Sequence, residues 1–315
     1  MKYGLILPTK KTGASPEAIL ATTQVAERLG FERVWSDDHI LVPRGDKGPY
    51  AWIYEIITTL AWLGGQTTRI RLGTGVVVIP QRNAIIVAKQ LATVDALTGG
   101  RVIAGLGLGW NEQEFRNLGV ADRFKVRGAY LDETIALFRH LWSRDEGPFR
   151  GRFHQFEDAV MAPPPAQGGG LPIFVGGRSD AGVRRAGRLA DGYHLSQNGP
   201  AGLAARLPLL RASAAEAGRP VPPVSARVPV YFGEAPAGVT AAAMSGSHEQ
   251  LVATIDEWDA LGVDELAFDM DEIDADRAVA KLERFHREIL LPREAERGSP
   301  GSELDSDRGA VIIPA

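Results

Sequence analysis

The chain of 315 residues is 44% hydrophobic and 23% charged, which is ordinary for a globular protein. Its formal net charge of −4 argues against a nucleic acid or an anionic membrane as a partner, because both favour a basic surface. The lack of cysteine excludes disulfides, thiolate metal sites and thiol nucleophiles. The first residues lack the apolar core of a signal peptide, and no apolar run approaches the about 18–20 residues that span a bilayer. We therefore expect a cytoplasmic protein.

Short apolar runs alternate along the chain with longer segments of helical period, the pattern of strand–helix units around a parallel sheet. Ser15-Pro16 supplies the N-cap and first residue of a helix that ends at Gly30. Further helices are predicted at 50–63, 85–97 and 276–289, and another helix is predicted to end near Trp142. Strands are predicted at 3–8, 33–36, 70–79, 102–106, 173–175, 192–195, 228–232 and 265–269. Eight such units predict an α/β fold, a (β/α)8 TIM barrel with insertion segments.

Two segments depart from the repeating unit. Residues 147–170 are predicted to form an insertion, with a hairpin around Gly151-Arg152-Phe153-His154 and then a connector rich in proline and glycine. Residues 292–315 are polar and rich in glycine and serine, so we expect a loose tail. The predicted barrel domain therefore covers residues 1–291.

Chemistry in such barrels lies at the carboxyl ends of the strands. Asp38-His39, which follows the second strand, is the acid–base candidate, because an imidazole titrates near about pH 6.5 and an adjacent carboxyl group can orient it. The alternative is a histidine that only packs at the strand end. Asp269 follows the last strand, and His194 is the other histidine on this face.

The run Gly176-Gly177-Arg178-Ser179 lies between the fifth strand and a helix. Consecutive glycines allow backbone N–H groups to converge on an anion, the helix start adds partial positive charge, and the arginine adds a charge-assisted contact. This pattern predicts a phosphate site, and the alternative is a plain turn.

The fourth strand ends in the second glycine-rich run, Gly105-Leu106-Gly107-Leu108-Gly109-Trp110-Asn111. Its spacing is not that of a dinucleotide fingerprint. Small residues here favour the close approach of a flat ring, with Trp110 as a pocket wall and Asn111 as a hydrogen-bonding group. The alternative is that Trp110 belongs to the core.

Other kinds of site have little support in the sequence. No His-x-His or His-Glu-x-x-His motif indicates a metal, and no lysine at a strand end was found for the Schiff base of a barrel lyase. The aromatic residues Tyr50, Trp52, Trp110 and Phe174 suggest an apolar substrate pocket, and His194 is placed with it.

Three stretches carry a resemblance to a known family. They are Trp35-Ser36-Asp37-Asp38-His39, the run from Ile79-Pro80-Gln81-Arg82-Asn83 to Glu114-Phe115, and the run from Leu171-Pro172-Ile173 to Asp191-Gly192-Tyr193. In this order the chain resembles the luciferase-like monooxygenase superfamily over about residues 3–290, and within it the branch that uses the deazaflavin coenzyme F420.

The resemblance implies a set of site residues. Asp38 and His39 would lie beside the deazaflavin ring, with His39 as the proton donor or acceptor. Gly75-Val76 would lie against the back of the ring, often through a non-prolyl cis peptide. The remaining implied contacts are Leu106, Gly107 and Asn111 along the ring, and Gly176, Gly177, Arg178 and Ser179 around the phosphate.

One departure bears on the substrate. Sugar-phosphate dehydrogenases of this branch have a glutamate directly after the glycine of the fourth strand, and this chain has Leu108 there. This argues against glucose 6-phosphate as the substrate.

Several functions stay open at this point. The first is hydride transfer between F420 and a small organic substrate. The second is an FMN-dependent monooxygenase that receives reduced flavin from a separate reductase, and the third is a non-catalytic flavin-binding barrel. The resemblance also implies a homodimer.

Overall fold

The computed structural model describes residues 1–45, 48–143, 147–239 and 242–298, and its centre is a closed barrel of parallel strands. Each strand pairs with the next one along the chain, and the eighth pairs with the seventh and the first. The predicted (β/α)8 TIM barrel is confirmed. The strands are β1 (Lys2–Ile6), β2 (Arg33–Ser36), β3 (Arg71–Thr74), β4 (Val102–Gly107), β5 (Ile173–Gly176), β6 (Gly192–Leu195), β7 (Val224–Phe232) and β8 (Glu265–Asp269).

Helices surround the barrel, and their ends follow local signals in the sequence. The side chain of Ser15 accepts the N–H of Ala18 (3.2 Å) at the start of the first helix, and Gly99 ends the third with a left-handed φ of 69°. No helix of the described residues is long and apolar enough to cross a membrane. The helices are α1 (Pro16–Arg28), α2 (Ile56–Gly64), α3 (Ala84–Thr98), α4 (Glu112–Asn117), α5 (Arg123–Trp142), α6 (Asp180–Leu189), α7 (Pro200–Ala204), α8 (Leu207–Glu216), α9 (His248–Ala260), α10 (Ala275–Phe285) and α11 (Leu291–Gly298).

The apolar core has two layers. The larger layer lies between the strands and the helices. The smaller fills the barrel interior and includes Trp35, Ile103 and Phe174. Trp35 fits because its neighbour on β3 is Gly73, where a Cβ would lie 2.4 Å from the indole ring. Phe174 is therefore part of the interior packing and not of a substrate pocket, which corrects the sequence interpretation.

The third strand is shorter than predicted. The apolar run 70–79 suggested one continuous strand, but β3 ends at Thr74. Val77 and Val78 leave it and pair instead with Leu106 and Gly107 of β4. The chain therefore bends away from β3 at Gly75-Val76, at the carboxyl end of the barrel.

The second helix also starts later than predicted. Pro49–Ala51 is a single 3₁₀ turn, and α2 begins at Ile56, where the side chain of Glu55 accepts the N–H of Thr58 (2.7 Å). Residues between them are extended because Ile53 bridges to Lys10. This segment is therefore held against the loop after β1 by backbone hydrogen bonds.

The insertion contains the predicted hairpin, whose strands are Phe149–Arg150 and Gln155–Phe156. At the carboxyl terminus, α11 replaces the first part of the expected loose tail. Its Arg293 is buried and contacts Asp256 (2.8 Å) and Asp259 (3.1 Å) of α9. These ion pairs dock the helix on α9. The rest of the predicted tail, 299–315, lies outside the described residues.

Candidate active site

A histidine and a glutamate meet just beyond the carboxyl end of β2. Nδ1 of His39 lies 2.8 Å from Oε2 of Glu114 in α4, and both residues are buried. The other carboxylate oxygen accepts the N–H groups of Ile40 (2.6 Å) and Leu41 (3.2 Å). Burial raises the pKa of Glu114, but hydrogen bonds from His39 and Ile40 outweigh it and hold that pKa below its ordinary value. The ionised carboxylate accepts the hydrogen bond, so His39 carries a proton on Nδ1.

Two aromatic rings flank His39. The Tyr50 ring lies 4.3 Å from the imidazole, centroid to centroid, and the Trp110 ring meets it edge-on at 5.8 Å. Trp110 is 65% exposed, which rules out the alternative that it is a core residue. With Nδ1 committed to Glu114, Nε2 is the ring nitrogen that can exchange a proton with a ligand.

Asp38 contacts Arg82 and Val78. Arg82 donates to both of its oxygens (2.6 and 2.7 Å), and the N–H of Val78 donates to one of them (2.7 Å). Burial raises the pKa of Asp38 above its ordinary value, and the opposing contributions of Arg82 and Val78 do not cancel that shift. These contacts favour a positioning role, in which Asp38 ties the chain after β3 to the end of β2.

The segment after β3 lies against the end of β2. The N–H of Gly75 donates to the carbonyl of Ser36 (2.7 Å), and the Gly75-Val76 peptide is cis, as the resemblance implied. A Cβ on Gly107 would lie 2.3 Å from a Val76 methyl group, and one on Gly176 would lie 2.6 Å from the other. These two glycines therefore make room for Val76, whereas the sequence interpretation assigned Gly107 to a flat ring and Gly176 to a phosphate.

Leu106 and Asn111 have other contacts than expected. The Leu106 side chain is fully buried in the layer between strands and helices, so it does not line the barrel interior. Asn111 caps α4, where its side-chain oxygen accepts the N–H of Gln113 (3.2 Å). The NH2 group of Asn111 is the part that a cofactor could contact.

The predicted phosphate loop joins β5 to an exposed helix start. Gly177 has a φ of 151°, and its carbonyl accepts a hydrogen bond from the Tyr193 hydroxyl (2.7 Å). Ser179 caps α6 by accepting a backbone N–H (3.2 Å). Arg178 is exposed and donates to the side chain of Gln197. An exposed guanidinium beside the N-terminus of α6 is a suitable contact for an anion.

His194 lies inside the barrel and not in an open pocket, which corrects its predicted placement. It is 2% exposed, its ring stacks on Trp35 at 4.3 Å, and Nδ1 lies 3.1 Å from the hydroxyl of Ser225. Burial lowers the pKa of His194 to about 3, so the ring is neutral. A Cβ on Gly75 would lie 3.5 Å from its Nε2, which places His194 beside that peptide.

Four charges lie at the same end of the barrel, each with no more than 14% of its side chain exposed. Arg227 of β7 donates to Asp37 (2.6 Å) and to Asp269. Lys10 donates to Asp37 and lies 3.6 Å from Asp269. Burial and Arg227 oppose the protonated form, but the two carboxylates prevail and raise the pKa of Lys10. The two positive charges and the two negative charges sum to zero. We call these four residues, Lys10, Asp37, Arg227 and Asp269, the charge cluster.

Lys10 lies in the loop after β1, beyond the last residue of that strand, Ile6. A Schiff-base lysine needs a lowered pKa, so the raised pKa of Lys10 argues against lyase chemistry. Within the described residues, no group of three or more His, Cys, Asp or Glu side chains is arranged to hold a metal ion.

Sequence reasoning missed Glu114 as the partner of His39. Its signal was present, since Glu114-Phe115 closes the family motif that begins at Ile79. The charge cluster was missed except for Asp269, which was placed on the correct face of the barrel.

The comparisons with known proteins agree with this fold. The family model described as luciferase-like monooxygenase matches residues 1–287, and the chain belongs to this family. The F420-dependent secondary alcohol dehydrogenase in complex with an F420–acetone adduct superposes with a TM-score of 0.78 at 18% identity, over 92% of this chain and 98% of that one. This likeness shows a shared fold.

Two curated relatives use different cofactors. The F420-dependent glucose-6-phosphate dehydrogenase of Amycolatopsis mediterranei is 33% identical over 176 residues, 53% of this chain and 50% of the relative. The FMNH2-dependent dimethylsulfone monooxygenase of Pseudomonas putida is 32% identical over 199 residues, 63% of this chain and 53% of the relative. The chain thus matches about half the length of each, and the predicted oxidoreductase class agrees with both.

Proposed function

We propose that this chain is an oxidoreductase that transfers a hydride between coenzyme F420 and a small organic substrate. The observation that carries the proposal is the buried contact between His39 Nδ1 and Glu114, just beyond the carboxyl end of β2. The F420-dependent relatives support this cofactor. When bound, the deazaflavin supplies the hydride chemistry, and the protein supplies orientation and proton transfer.

His39 handles the proton that accompanies the hydride. Glu114 accepts a hydrogen bond from Nδ1–H (2.8 Å), which fixes the ring orientation and leaves the Nε2 lone pair of the neutral imidazole available to a ligand. A neutral His39 then accepts a proton from a substrate hydroxyl, and a protonated one returns it to a carbonyl oxygen. Glu114 stabilises the positive charge that appears on the imidazole during this exchange.

The residues present fit a phosphorylated, ring-bearing cofactor. Arg178 and the first turn of α6 offer positive charge at the open end of β5, and the acidic Asp180 in that turn is offset by Arg206 at 3.5 Å. The NH2 group of Asn111 lies at the start of α4, after the neighbouring strand β4. A phosphate contact and a ring contact would therefore come from the ends of two adjacent strands.

The affinity for the two cofactors tests the proposal. We expect the purified protein to bind F420 more tightly than FMN in fluorescence titrations. The colour of any co-purified cofactor gives an independent measurement, because flavin and deazaflavin absorb at distinguishable wavelengths. FMN binding at least about tenfold tighter, or about 1.4 kcal/mol, would reverse the order of the two candidate functions.

Arg178→Ala is expected to weaken cofactor binding by about 1.5–3 kcal/mol, the value of a hydrogen bond to a charged group. The melting temperature should hardly change, since the arginine is exposed. Titration of the variant with F420 measures the effect. Arg188→Ala is the matched control, because Arg188 lies at the other end of α6 and is half-exposed. An unchanged dissociation constant in Arg178→Ala would mean that Gly176-Gly177 form an ordinary turn.

The second candidate is a monooxygenase that uses reduced FMN delivered by a separate reductase. The dimethylsulfone monooxygenase relative favours it. Oxygen consumption that depends on reduced FMN distinguishes this function from F420-dependent hydride transfer. A lack of turnover with either reduced cofactor would favour the third alternative, a flavin-binding barrel without catalysis. The homodimer and the cytoplasmic location stay predictions.

A further inference from the structure

The rim around His39 is apolar. Ile40, Leu41, Trp52 and Trp110 expose 40%, 52%, 50% and 65% of their surface. The Trp110 ring meets His39 edge-on, and Trp52 belongs to the same short segment as the tyrosine that packs on the imidazole. Single exposed apolar residues are ordinary, but a group of them gathered beside an acid–base pair marks a binding surface.

Backbone hydrogen bonds hold these residues in place. The N–H groups of Ile40 and Leu41 donate to Glu114, and the carbonyl of Leu41 accepts a hydrogen bond from Asn117 (3.1 Å). The carbonyl of Trp52 accepts the N–H of Lys11 (3.0 Å). The backbone is therefore already ordered, so a ligand that packs on this rim incurs little additional ordering cost.

Four of the described cations at this end of the barrel already have anionic partners, and Arg44, in the loop after Leu41, is exposed. Arg82 makes a two-point contact with Asp38, and Lys11 pairs with Asp271. Lys10 and Arg227 are neutralised within the charge cluster. An anionic group that entered here would lose its hydration without a vacant cation among these four to compensate it.

We propose that the site takes neutral substrates with an aromatic or aliphatic body and discriminates against phosphorylated or carboxylated ones. This inference rests on the proposed function, which supplies the reaction, and it names the class of substrate. The apolar rim packs against the hydrocarbon part of the substrate, and Nε2 of His39 hydrogen-bonds to a hydroxyl or carbonyl group on that substrate. Arg178, after β5, is left for the cofactor phosphate.

Binding of three matched probes tests the inference without turnover. Naphthaldehyde, naphthoate and naphthyl phosphate share one ring system and differ in charge. Each is titrated by calorimetry into the full-length protein, alone and saturated with whichever of F420 or FMN binds. We expect the aldehyde to bind at least about tenfold more tightly than either anion, which corresponds to about 1.4 kcal/mol.

The tryptophans provide the variants. Trp110→Ala should weaken aldehyde binding about five- to tenfold, the scale of an aromatic contact. Trp62→Ala is the control, because Trp62 is also exposed but lies on α2. Equal affinity for the anions, no aldehyde binding at all, or identical behaviour of the two variants would overturn the inference. Selective aldehyde binding by a protein that binds neither cofactor would instead refute the proposed function and leave the rim specificity in place.

Discussion

Replacing His39 with alanine is expected to lower turnover by about 10²–10⁴-fold, the scale of general acid–base catalysis. The variant loses the only imidazole that contacts Glu114 among the described residues. Cofactor affinity should fall much less, because the phosphate contacts proposed at Arg178 lie after β5. Turnover with any accepted substrate and the dissociation constant of the cofactor are the two measurements. His248→Ala is the control, since His248 is half-exposed at the start of α9.

A second variant separates proton transfer from simple packing. Glu114→Gln keeps the shape of the side chain but supplies one acceptor oxygen, whereas His39 and two backbone N–H groups use both oxygens of the glutamate. We expect turnover to fall while cofactor affinity is kept. Full activity in His39→Ala would show that this histidine only packs at the strand end.

The order and approximate bounds of the strands could be predicted because each barrel strand is a short apolar run between turn residues. β2, β6 and β8 match their predicted bounds. The start of β7 was missed because Ser225 and Arg227 put polar groups on its inner face, so its apolar residues alternate with polar ones and form no continuous apolar run. The end of β3 was missed because Val77-Val78 continues the apolar run while pairing with a different strand.

The candidate site was predicted as a face of the barrel but not as a set of contacts. The sequence places His39 and Asp269 at strand ends, and the closed barrel brings those ends together. It does not indicate that Glu114, 75 residues away, turns toward His39. The adjacency of Asp38 and His39 in the sequence suggested that the two side chains interact. In the structure Asp38 contacts Arg82, whereas His39 contacts Glu114. Such pairings depend on side-chain direction, which periodicity does not encode.

Arg227→Met is expected to lower the free energy of unfolding by about 3–5 kcal/mol, the cost of removing one partner from a buried ion pair. The guanidinium contacts Asp37 and Asp269 at the same time, and these side chains expose only 8% and 13% of their surface. Only Lys10 then remains to compensate two negative charges. Urea unfolding at neutral pH measures the effect. Arg116→Met, which breaks an exposed i,i+4 pair with Glu112, should cost less than about 1 kcal/mol.

The pH dependence of that difference follows from the aspartates. Burial raises the pKa of Asp37 and of Asp269, but Arg227 and Lys10 outweigh it and hold both values below the ordinary range. A lowered pKa in the folded state gives stability that is present above the unfolded-state pKa of about 3.9 and is lost as the pH falls through the folded value. The gap between wild type and Arg227→Met should therefore be constant from about pH 6 to 8 and shrink below about pH 4. A gap that is smaller than about 1 kcal/mol at neutral pH, or that widens in acid, would mean that the charge cluster is not held together by its ion pairs.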